Sequence, residues 1–193
     1  MTKSKTSLLL TQTLINSWLY LYQVNDGEYY DKAYQDFLKT LKRIPLEDNE
    51  IFARGREFEK QVINGEYKEI YDIIKGGSYQ VSKKKELVVD NLDFTVYGIA
   101  DFVKNGVIYD TKRVNQYELQ KYQYSSQHLI YLYLFDDCYE FTYLIVDNTD
   151  TFYEETYKRN DLTITIENLI HNFISFLKEN NLFNIYLENW KGK

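Results

Sequence analysis

The residues best suited to chemistry lie in one stretch, residues 97–114, with the sequence YGIADFVKNGVIYDTKRV. Three of its charged residues, Asp101, Asp110 and Lys112, interrupt segments that are rich in apolar and aromatic residues. Charged groups in buried strands are unfavourable unless they are paired or bind a metal ion. Alternation along a strand puts Asp110 and Lys112 on the same face. The Asn-Gly pair at 105–106 is a strong hairpin signal, and such a turn can bring Asp101 beside Asp110.

Two carboxylates that lie close together repel each other, and a divalent cation removes that repulsion. Their hard oxygen atoms favour Mg²⁺ or Mn²⁺. A lysine beside the cation can orient or deprotonate an attacking water and can stabilise negative charge. These groups are suited to hydrolysing a phosphodiester bond, where metal ions stabilise the attacking and leaving oxygens. The alternative for an Asp-x-Lys tripeptide taken alone is a surface ion pair, which is common.

Length and composition limit the class of protein. The chain has 193 residues, 44% hydrophobic and 17% aromatic, which predicts an ordered globular domain. The single cysteine, Cys138, excludes an internal disulfide and an all-cysteine metal or iron–sulfur centre. The net charge of -6 excludes a uniformly basic nucleic-acid coat, but not a local basic patch. Because no apolar stretch approaches the roughly 18 residues of a membrane span and no signal peptide is indicated, we expect a cytoplasmic protein without a membrane partner.

The elements that must position these residues follow from hydrophobic periodicity. Helices are predicted over residues 7–22, 27–43, 49–63, 116–135 and 162–180, and strands over 79–90, 92–103, 107–114, 138–147 and 151–158. Asn49 is the expected cap of the third helix, and Pro45 is expected to break the chain before it. The order of the elements predicts an α/β sandwich with a mixed sheet, as one domain over residues 1–193.

A further pair of residues precedes the hairpin. The segment ARGREFE places Gly55 and Glu59 one helical turn apart, and Gln127 and Tyr131 have the same spacing after the hairpin. With the aspartates and lysine between them, the chain resembles the PD-(D/E)xK nucleases, in particular the RecB-type and lambda-exonuclease-like phage exonuclease branch. That branch has a helix with Gly-x-x-x-Glu or Gly-x-x-x-His, a strand ending in Asp, a hairpin strand with Asp-x-Lys or Glu-x-Lys, and a helix with Gln-x-x-x-Tyr. The match covers residues 50–135 in detail.

The resemblance implies a role for each matched residue. Glu59, Asp101 and Asp110 would be catalytic metal ligands, with the carbonyl of Thr111 as a further ligand. Lys112 would be the catalytic lysine. The implied fold is restriction-endonuclease-like, and the implied cofactor is Mg²⁺ or Mn²⁺; the iron–sulfur cluster of some relatives needs four cysteines and is excluded. Without the resemblance, a solvated helix face is an equal interpretation for Glu59.

Other residues are expected to contact the substrate. The resemblance implies that Gln127 and Tyr131 face the site and help to place the substrate strand or the lysine. The alternative for this pair is a polar seam where the helix meets the sheet edge. Arg54, Arg56 and Arg113 are candidates to grip a phosphate. These expectations together describe a DNA-binding surface around the predicted metal site.

Three remaining residues are not assigned to the site. His128 is expected at the surface or at a boundary, and His171 is expected to be structural. Two distant histidines give no support for a histidine-based metal or nucleophile site. Cys138 is expected to be a small core residue.

The resulting expectation is a metal-dependent DNA exonuclease, acting in DNA recombination, repair or the processing of phage or mobile-element DNA. One alternative is a structure-selective or sequence-specific endonuclease on the same fold. Others are a catalytically silent DNA-end-binding module and a generic α/β domain with surface ion pairs. The resemblance also implies a single-strand annealing or recombination protein as partner, and a closed ring of subunits would make the protein a homo-oligomer.

Overall fold

The computed structural model of the chain describes residues 7–24, 27–46 and 50–192. Six strands build one sheet, namely β1 (Leu8–Thr11), β2 (Ser78–Val89), β3 (Leu92–Lys104), β4 (Val107–Arg113), β5 (Glu140–Val146) and β6 (Phe152–Lys158). The α-helices of the described ranges are α1 (Gln12–Tyr20), α2 (Gly27–Leu41), α3 (Glu50–Ile63), α4 (Lys68–Ile74), α5 (Gln127–Leu134), α6 (Ile166–Glu179) and α7 (Phe183–Asn189). The expected α/β sandwich, with a central mixed sheet flanked by helices, is confirmed. Within the described residues, no helix is both long and apolar enough to cross a membrane.

The long strand β3 sets the layout of the sheet, because three other strands pair with it. β2 runs antiparallel to it along residues 92–103. On the opposite edge, β1 pairs in parallel with residues 94–97, and β4 pairs antiparallel with residues 102–104. β4 then pairs in parallel with β5, which pairs antiparallel with β6. On this edge of β3, residues 98–101 therefore lie between the segment that pairs with β1 and the segment that pairs with β4. We call residues 98–101 the sheet gap.

Two apolar cores lie on the two faces of the sheet. On β5, Phe141 and Tyr143 pack in a large core, whereas Leu144 and Val146 pack in a small one, as strand alternation requires. Helices α1, α2, α5, α6 and α7 supply apolar residues to the large core, and α3 and α4 cover the small one. The sheet gap is thus approached by α5 from one face and by α3 from the other.

The first strand is held by the last helix as well as by β3. The backbone N–H of Leu9 donates to the carbonyl of Trp190 at 2.7 Å, and the hydroxyl of Tyr186 donates to the carbonyl of Leu9 at 2.9 Å. The indole N–H of Trp190 donates to the carbonyl of Leu41 at 2.8 Å. β1 therefore depends on elements far away in the sequence on both of its sides.

The first predicted helix, over residues 7–22, is wrong at its start. Residues 8–11 form β1, and α1 begins only after them. Leu8 and Leu10 are buried while the residues that follow each of them are half-buried, which is the alternation of a strand. A short apolar run is compatible with a helix or a strand, and the parallel pairing with β3 decides between them.

The helix predicted over residues 116–135 is wrong over its first half. α5 begins only at Gln127, and turns precede it, with Gln120 at a φ of 63°. The backbone N–H of Tyr122 donates to the carboxylate of Glu155 at 2.9 Å, which holds this turn region against β6. Residues 116–126 therefore do not extend α5.

The other predicted elements are confirmed, with α2, α3 and α6 and the five strands from β2 to β6 close to their expected positions. The turn at 90–91 and the turn at 105–106 both have positive φ values. Asn49, the expected cap of α3, lies outside the described residues. The short helices α4 and α7 were not predicted, because seven residues each give too little periodicity to recognise. The single-domain assignment over 1–193 stays a prediction.

Candidate active site

The hairpin of β3 and β4 brings the two predicted aspartates together. The Asn-Gly turn at 105–106 closes it with φ values of 51° and 78°, a conformation that these two residue types tolerate best. In the resulting register Phe102 faces Tyr109. Asp101 and Asp110 are the next residues along the two strands, and their carboxyl groups lie within hydrogen-bonding reach of each other. The predicted convergence of the two carboxylates is therefore present in the fold.

The regular alternation of β3 breaks at Asp101, at the end of the sheet gap. Ala100 packs in the large core, whereas Phe102, two residues later, packs in the small core. The neighbouring strand β2 is distorted at the same level, where Gln80 has a φ of 52° and does not pair with β3. Backbone strain of this kind tends to be found at functional sites. The break gives the Asp101 side chain an orientation that a regular strand would not allow.

Asp110 is buried, with 5% of its surface exposed, and its two oxygens have different surroundings. Oδ1 accepts a hydrogen bond from the side-chain amide of Gln127. Oδ2 lies 2.5 Å from the ammonium nitrogen of Lys112, yet it has no partner in hydrogen-bond geometry. Thr111, between these two β4 residues, pairs with Leu144 of β5. The lysine contact is therefore an ion pair that leaves Oδ2 without a directed hydrogen bond.

Asp101 carries the electrostatic cost of this arrangement. Burial is the largest cause that raises the pKa of its carboxyl, followed by the negative charge of Asp110. Lys112 lowers that pKa, but not enough to offset the other effects. The pKa of Asp101 is accordingly raised from 3.8 to about 8. Two neighbouring carboxyls, one of which retains a proton at neutral pH, are typical of a site that is completed by a cation or a ligand.

Glu59 approaches from α3 but is engaged by β2. Its Oε1 accepts a hydrogen bond from the hydroxyl of Tyr79 at 2.8 Å and another from the amide of Gln80 at 3.1 Å. Its charge contributes to the raised pKa of Asp101, so the two carboxylates are within electrostatic range. In the part of the chain that the structure describes, no three or more His, Cys, Asp or Glu side chains are grouped so that they could hold a metal ion. The predicted set is thus an aspartate pair with a third carboxylate nearby.

Helix α5 meets the sheet gap at close range. Besides the contact of Gln127 with Asp110, the hydroxyl of Tyr131 donates to the carbonyl of Ile99 at 2.7 Å. A Cβ at Gly98 would lie 2.8 Å from the Tyr131 ring, so only glycine allows this approach. Of the two predicted α5 residues, Tyr131 therefore contacts the sheet gap and Gln127 contacts Asp110 on the adjacent strand. Gly98 was not identified from the sequence, although a glycine inside a strand pattern signals close approach of another element.

The three predicted arginines lie on the α3 side of the sheet. Arg113 pairs with Asp150 at 2.8 Å, and its guanidinium lies over two aromatic rings of the small core. Arg54 donates to the side chain of Asn115 at 2.8 Å. Arg56 is exposed on the same helix. A Cβ at Gly55, the glycine between these two α3 residues, would meet nothing within 4 Å, so close packing does not require a glycine there.

The expectation of a surface or boundary position for His128 is wrong. Its side chain is 6% exposed, and its ring stacks on Tyr157 with centroids 3.9 Å apart and planes 4° apart. Burial lowers its pKa to about 4, so the imidazole is neutral at physiological pH. His171 is exposed, and its Nδ1 lies 2.8 Å from Asp90. Cys138 is buried, as expected.

Comparison with known proteins places the fold but no family. No protein-family model matches the chain, and no curated protein matches it in sequence. The crystal structure of SSO0001 is similar, with a TM-score of 0.58 and 16% identity, over 91% of this chain and 79% of that one. A protein from Eubacterium rectale, provisionally assigned as an exonuclease, aligns over 92% of this chain and 69% of its own, with a TM-score of 0.43 and 14% identity. The first similarity shows a shared fold, and the second is too distant to support an argument.

Proposed function

We propose that the protein is a deoxyribonuclease that uses Mg²⁺ or Mn²⁺, acting as a DNA exonuclease of the PD-(D/E)xK kind. The observation that carries the proposal is the buried pair of Asp101 and Asp110, with Lys112 beside it at the sheet gap. Such a set is costly for the fold, because the second buried carboxyl either keeps its proton at neutral pH or adds a like charge beside the first. A role in chemistry therefore best explains its presence.

The residues at the sheet gap fit a hard divalent cation. Asp110 Oδ2 accepts no hydrogen bond, and the pKa of Asp101 is raised by burial and by the neighbouring negative charge. A bound cation would relieve both conditions. Asp101 and Asp110 would hold it with the carbonyl of Thr111, and Glu59 would join them after leaving its partners on β2. When bound, the cation supplies stabilisation of charge on the attacking and leaving oxygens of the phosphodiester.

The protein's own groups orient the reactants. Lys112, held by its ion pair with Asp110, is positioned to orient an attacking water and to neutralise charge on the phosphate. Gln127 holds the other oxygen of Asp110 and so restricts rotation of that carboxylate. Arg54 and Arg56, exposed on α3, would contact the phosphates of the bound strand. Arg113 is already paired and packed against aromatic rings, which favours a supporting role.

Cleavage of two DNA substrates tests the proposal. End-labelled linear duplex DNA and covalently closed circular DNA are each incubated with Mg²⁺, Mn²⁺ or EDTA. The wild-type protein is compared with Lys112→Ala and with Lys32→Ala, an exposed lysine on α2 that serves as the matched control. We expect metal-dependent loss of the linear substrate only, with Lys112→Ala inactive and Lys32→Ala fully active.

The other outcomes distinguish the alternatives. Cleavage of the closed circle would indicate an endonuclease on the same fold. DNA binding without cleavage in any metal would favour a silent end-binding module, in which Glu59 stays with Tyr79 and Gln80 as it does here. Full activity of Lys112→Ala would overturn the site assignment. A role in recombination or repair, with a single-strand annealing partner, is a proposal that rests on the family resemblance alone.

A further inference from the structure

A cavity opens beside the first turn of α5, on the face of the sheet that carries the large core. It has a volume of about 790 Å³, and its lining includes Ser126 and His128, the two sequence neighbours of Gln127. Tyr124 and Tyr157 form part of its aromatic wall. We call it the α5 pocket. Its size falls within the range of about 300–1,000 Å³ that is usual for small-molecule sites.

We infer that the α5 pocket binds one unpaired nucleobase of the DNA strand whose phosphate lies at the sheet gap. The inference rests on the proposed function and extends it, because it names the part of the substrate that is recognised away from the metal ligands. The position of the pocket supports it. Gln127 contacts Asp110, and the residues on either side of it line the pocket, so both sites meet at the beginning of the same helix.

The wall of the pocket is suited to stacking. Tyr124 is 72% exposed at the pocket, which leaves its ring available to a planar ligand. The stacked rings of His128 and Tyr157 provide a second aromatic surface, and Leu129 and Leu162 add apolar contacts. Aromatic side chains of this kind hold single-stranded bases through their π faces.

The polar groups of the pocket favour a base over a phosphate. No lysine or arginine is among its lining residues, whereas Asp161 is, so an anionic ligand would be repelled. A carboxylate accepts hydrogen bonds from the exocyclic amino groups of adenine, cytosine or guanine. His128 adds a second indication, because its Nδ1 is buried and has no hydrogen-bond partner. A buried polar atom without a partner in the free protein calls for an explanation such as an absent ligand.

Fluorescence of a single-stranded oligonucleotide with 2-aminopurine near its end tests the inference. The full chain binds it in EDTA, so that cleavage does not contribute. We expect stacking to change the fluorescence, and Tyr124→Ala to weaken binding about tenfold and to remove the signal. Tyr29→Ala, which changes a tyrosine of similar exposure on α2, is the matched control and is expected to bind normally.

A second variant fills the pocket instead of emptying it. Ile164→Trp adds bulk at a half-exposed position of the lining, and Val88→Trp adds the same bulk on β2 outside the pocket. Circular dichroism and thermal unfolding verify that both variants fold. We expect only Ile164→Trp to weaken binding. An oligonucleotide with an abasic site in place of the 2-aminopurine should bind the wild-type protein as weakly as Ile164→Trp binds the intact strand.

The results separate failure of this inference from failure of the proposed function. Equal binding of the wild type, Tyr124→Ala and Ile164→Trp, together with metal-dependent cleavage by all three, would overturn the base site and leave the nuclease proposal intact. Equal binding of the abasic and intact strands would do the same. Absence of both DNA binding and cleavage in the wild type would overturn the proposed function, and this inference with it.

Discussion

Glu155 on β6 and Asp110 on β4 are buried carboxylates two strands apart in the same sheet, and their surroundings differ. Glu155 is 7% exposed, and Oε2 accepts a hydrogen bond from the hydroxyl of Tyr117 at 2.8 Å. Its Oε1 accepts from the backbone N–H of Tyr122 at 2.9 Å and from the hydroxyl of Tyr157. Asp110 is 5% exposed, but one of its oxygens lacks a hydrogen bond.

The difference separates a structural acid from a candidate ligand. Both oxygens of Glu155 accept hydrogen bonds, which come from the turn region before α5 and from the hydroxyl groups of two tyrosines. Asp110 accepts only one directed hydrogen bond, from Gln127. The neighbouring carboxyl of Asp101 makes the buried negative charge of Asp110 less favourable. Burial alone therefore does not distinguish these two carboxylates, whereas their hydrogen bonding does.

The strongest test of the comparison is Asp110→Asn. We expect cleavage to fall by about 10³-fold, because an amide cannot replace the charge of a metal ligand. At pH 8.5 in EDTA, where Asp101 is largely ionised, the thermal unfolding midpoint should stay the same or rise, because loss of the repulsion with Asp101 offsets loss of the ion pair with Lys112. Rates of loss of labelled linear DNA and calorimetric unfolding measure the two effects. A protein that loses stability while keeping its activity would reverse the assigned roles.

The matched change at the structural acid is Glu155→Gln. An amide there replaces one acceptor oxygen by a donor, which would face at least one of the three groups that now donate to the carboxylate, so we expect a loss of about 3 kcal/mol in the free energy of unfolding. That loss corresponds to roughly 10 °C in the unfolding midpoint for a chain of this size. Cleavage, measured well below the midpoint, should stay near the wild-type rate. Loss of cleavage in a fully folded Glu155→Gln protein would contradict the distinction.

The substitution Asp101→Asn is expected to change the free energy of unfolding by an amount that depends on pH. The folded pKa of Asp101 is raised to about 8 from 3.8, so its ionisation costs stability that increases from about pH 4 to pH 8. In EDTA at pH 8.5, Asp101→Asn should therefore raise the unfolding midpoint above that of the wild type. At pH 4 the two proteins should unfold together, since the wild-type carboxyl is then protonated in the folded state. A gain that is independent of pH would count against the carboxylate pair as its source.

The sequence predicted the part of this site that depends on local pattern. The hairpin register that sets Asp101 beside Asp110 follows from strand periodicity and the Asn-Gly turn, and α5 was expected to contribute Gln127. The positive φ of Gln80 and the close approach of the Tyr131 ring to Gly98 could not be predicted, because both depend on how β2 and α5 pack against β3. Tertiary contacts of this kind override local propensity.

For acidic residues outside the hairpin, a functional role was harder to distinguish from a structural role in the sequence. Glu59 has the same residue type and spacing whether it binds a cation or accepts from Tyr79 on β2, so no pattern could reveal its present partners. Glu155 was not singled out, because two of its three donors come from a turn region that was expected to be helical. The family resemblance supplied the role of Glu59, and that role stays a prediction.

The placement of β1 has a consequence for the order of folding. This strand, close to the beginning of the described chain, has its only ladder partner in β3, some 85 residues later, and is bound on its other side by Trp190. During synthesis, residues 8–11 therefore leave the ribosome well before the residues of β3 and α7 that hold them in place. Until those residues follow, the apolar side chains and unpaired backbone groups of this strand are open to aggregation, and they are covered only when α7 packs against the strand.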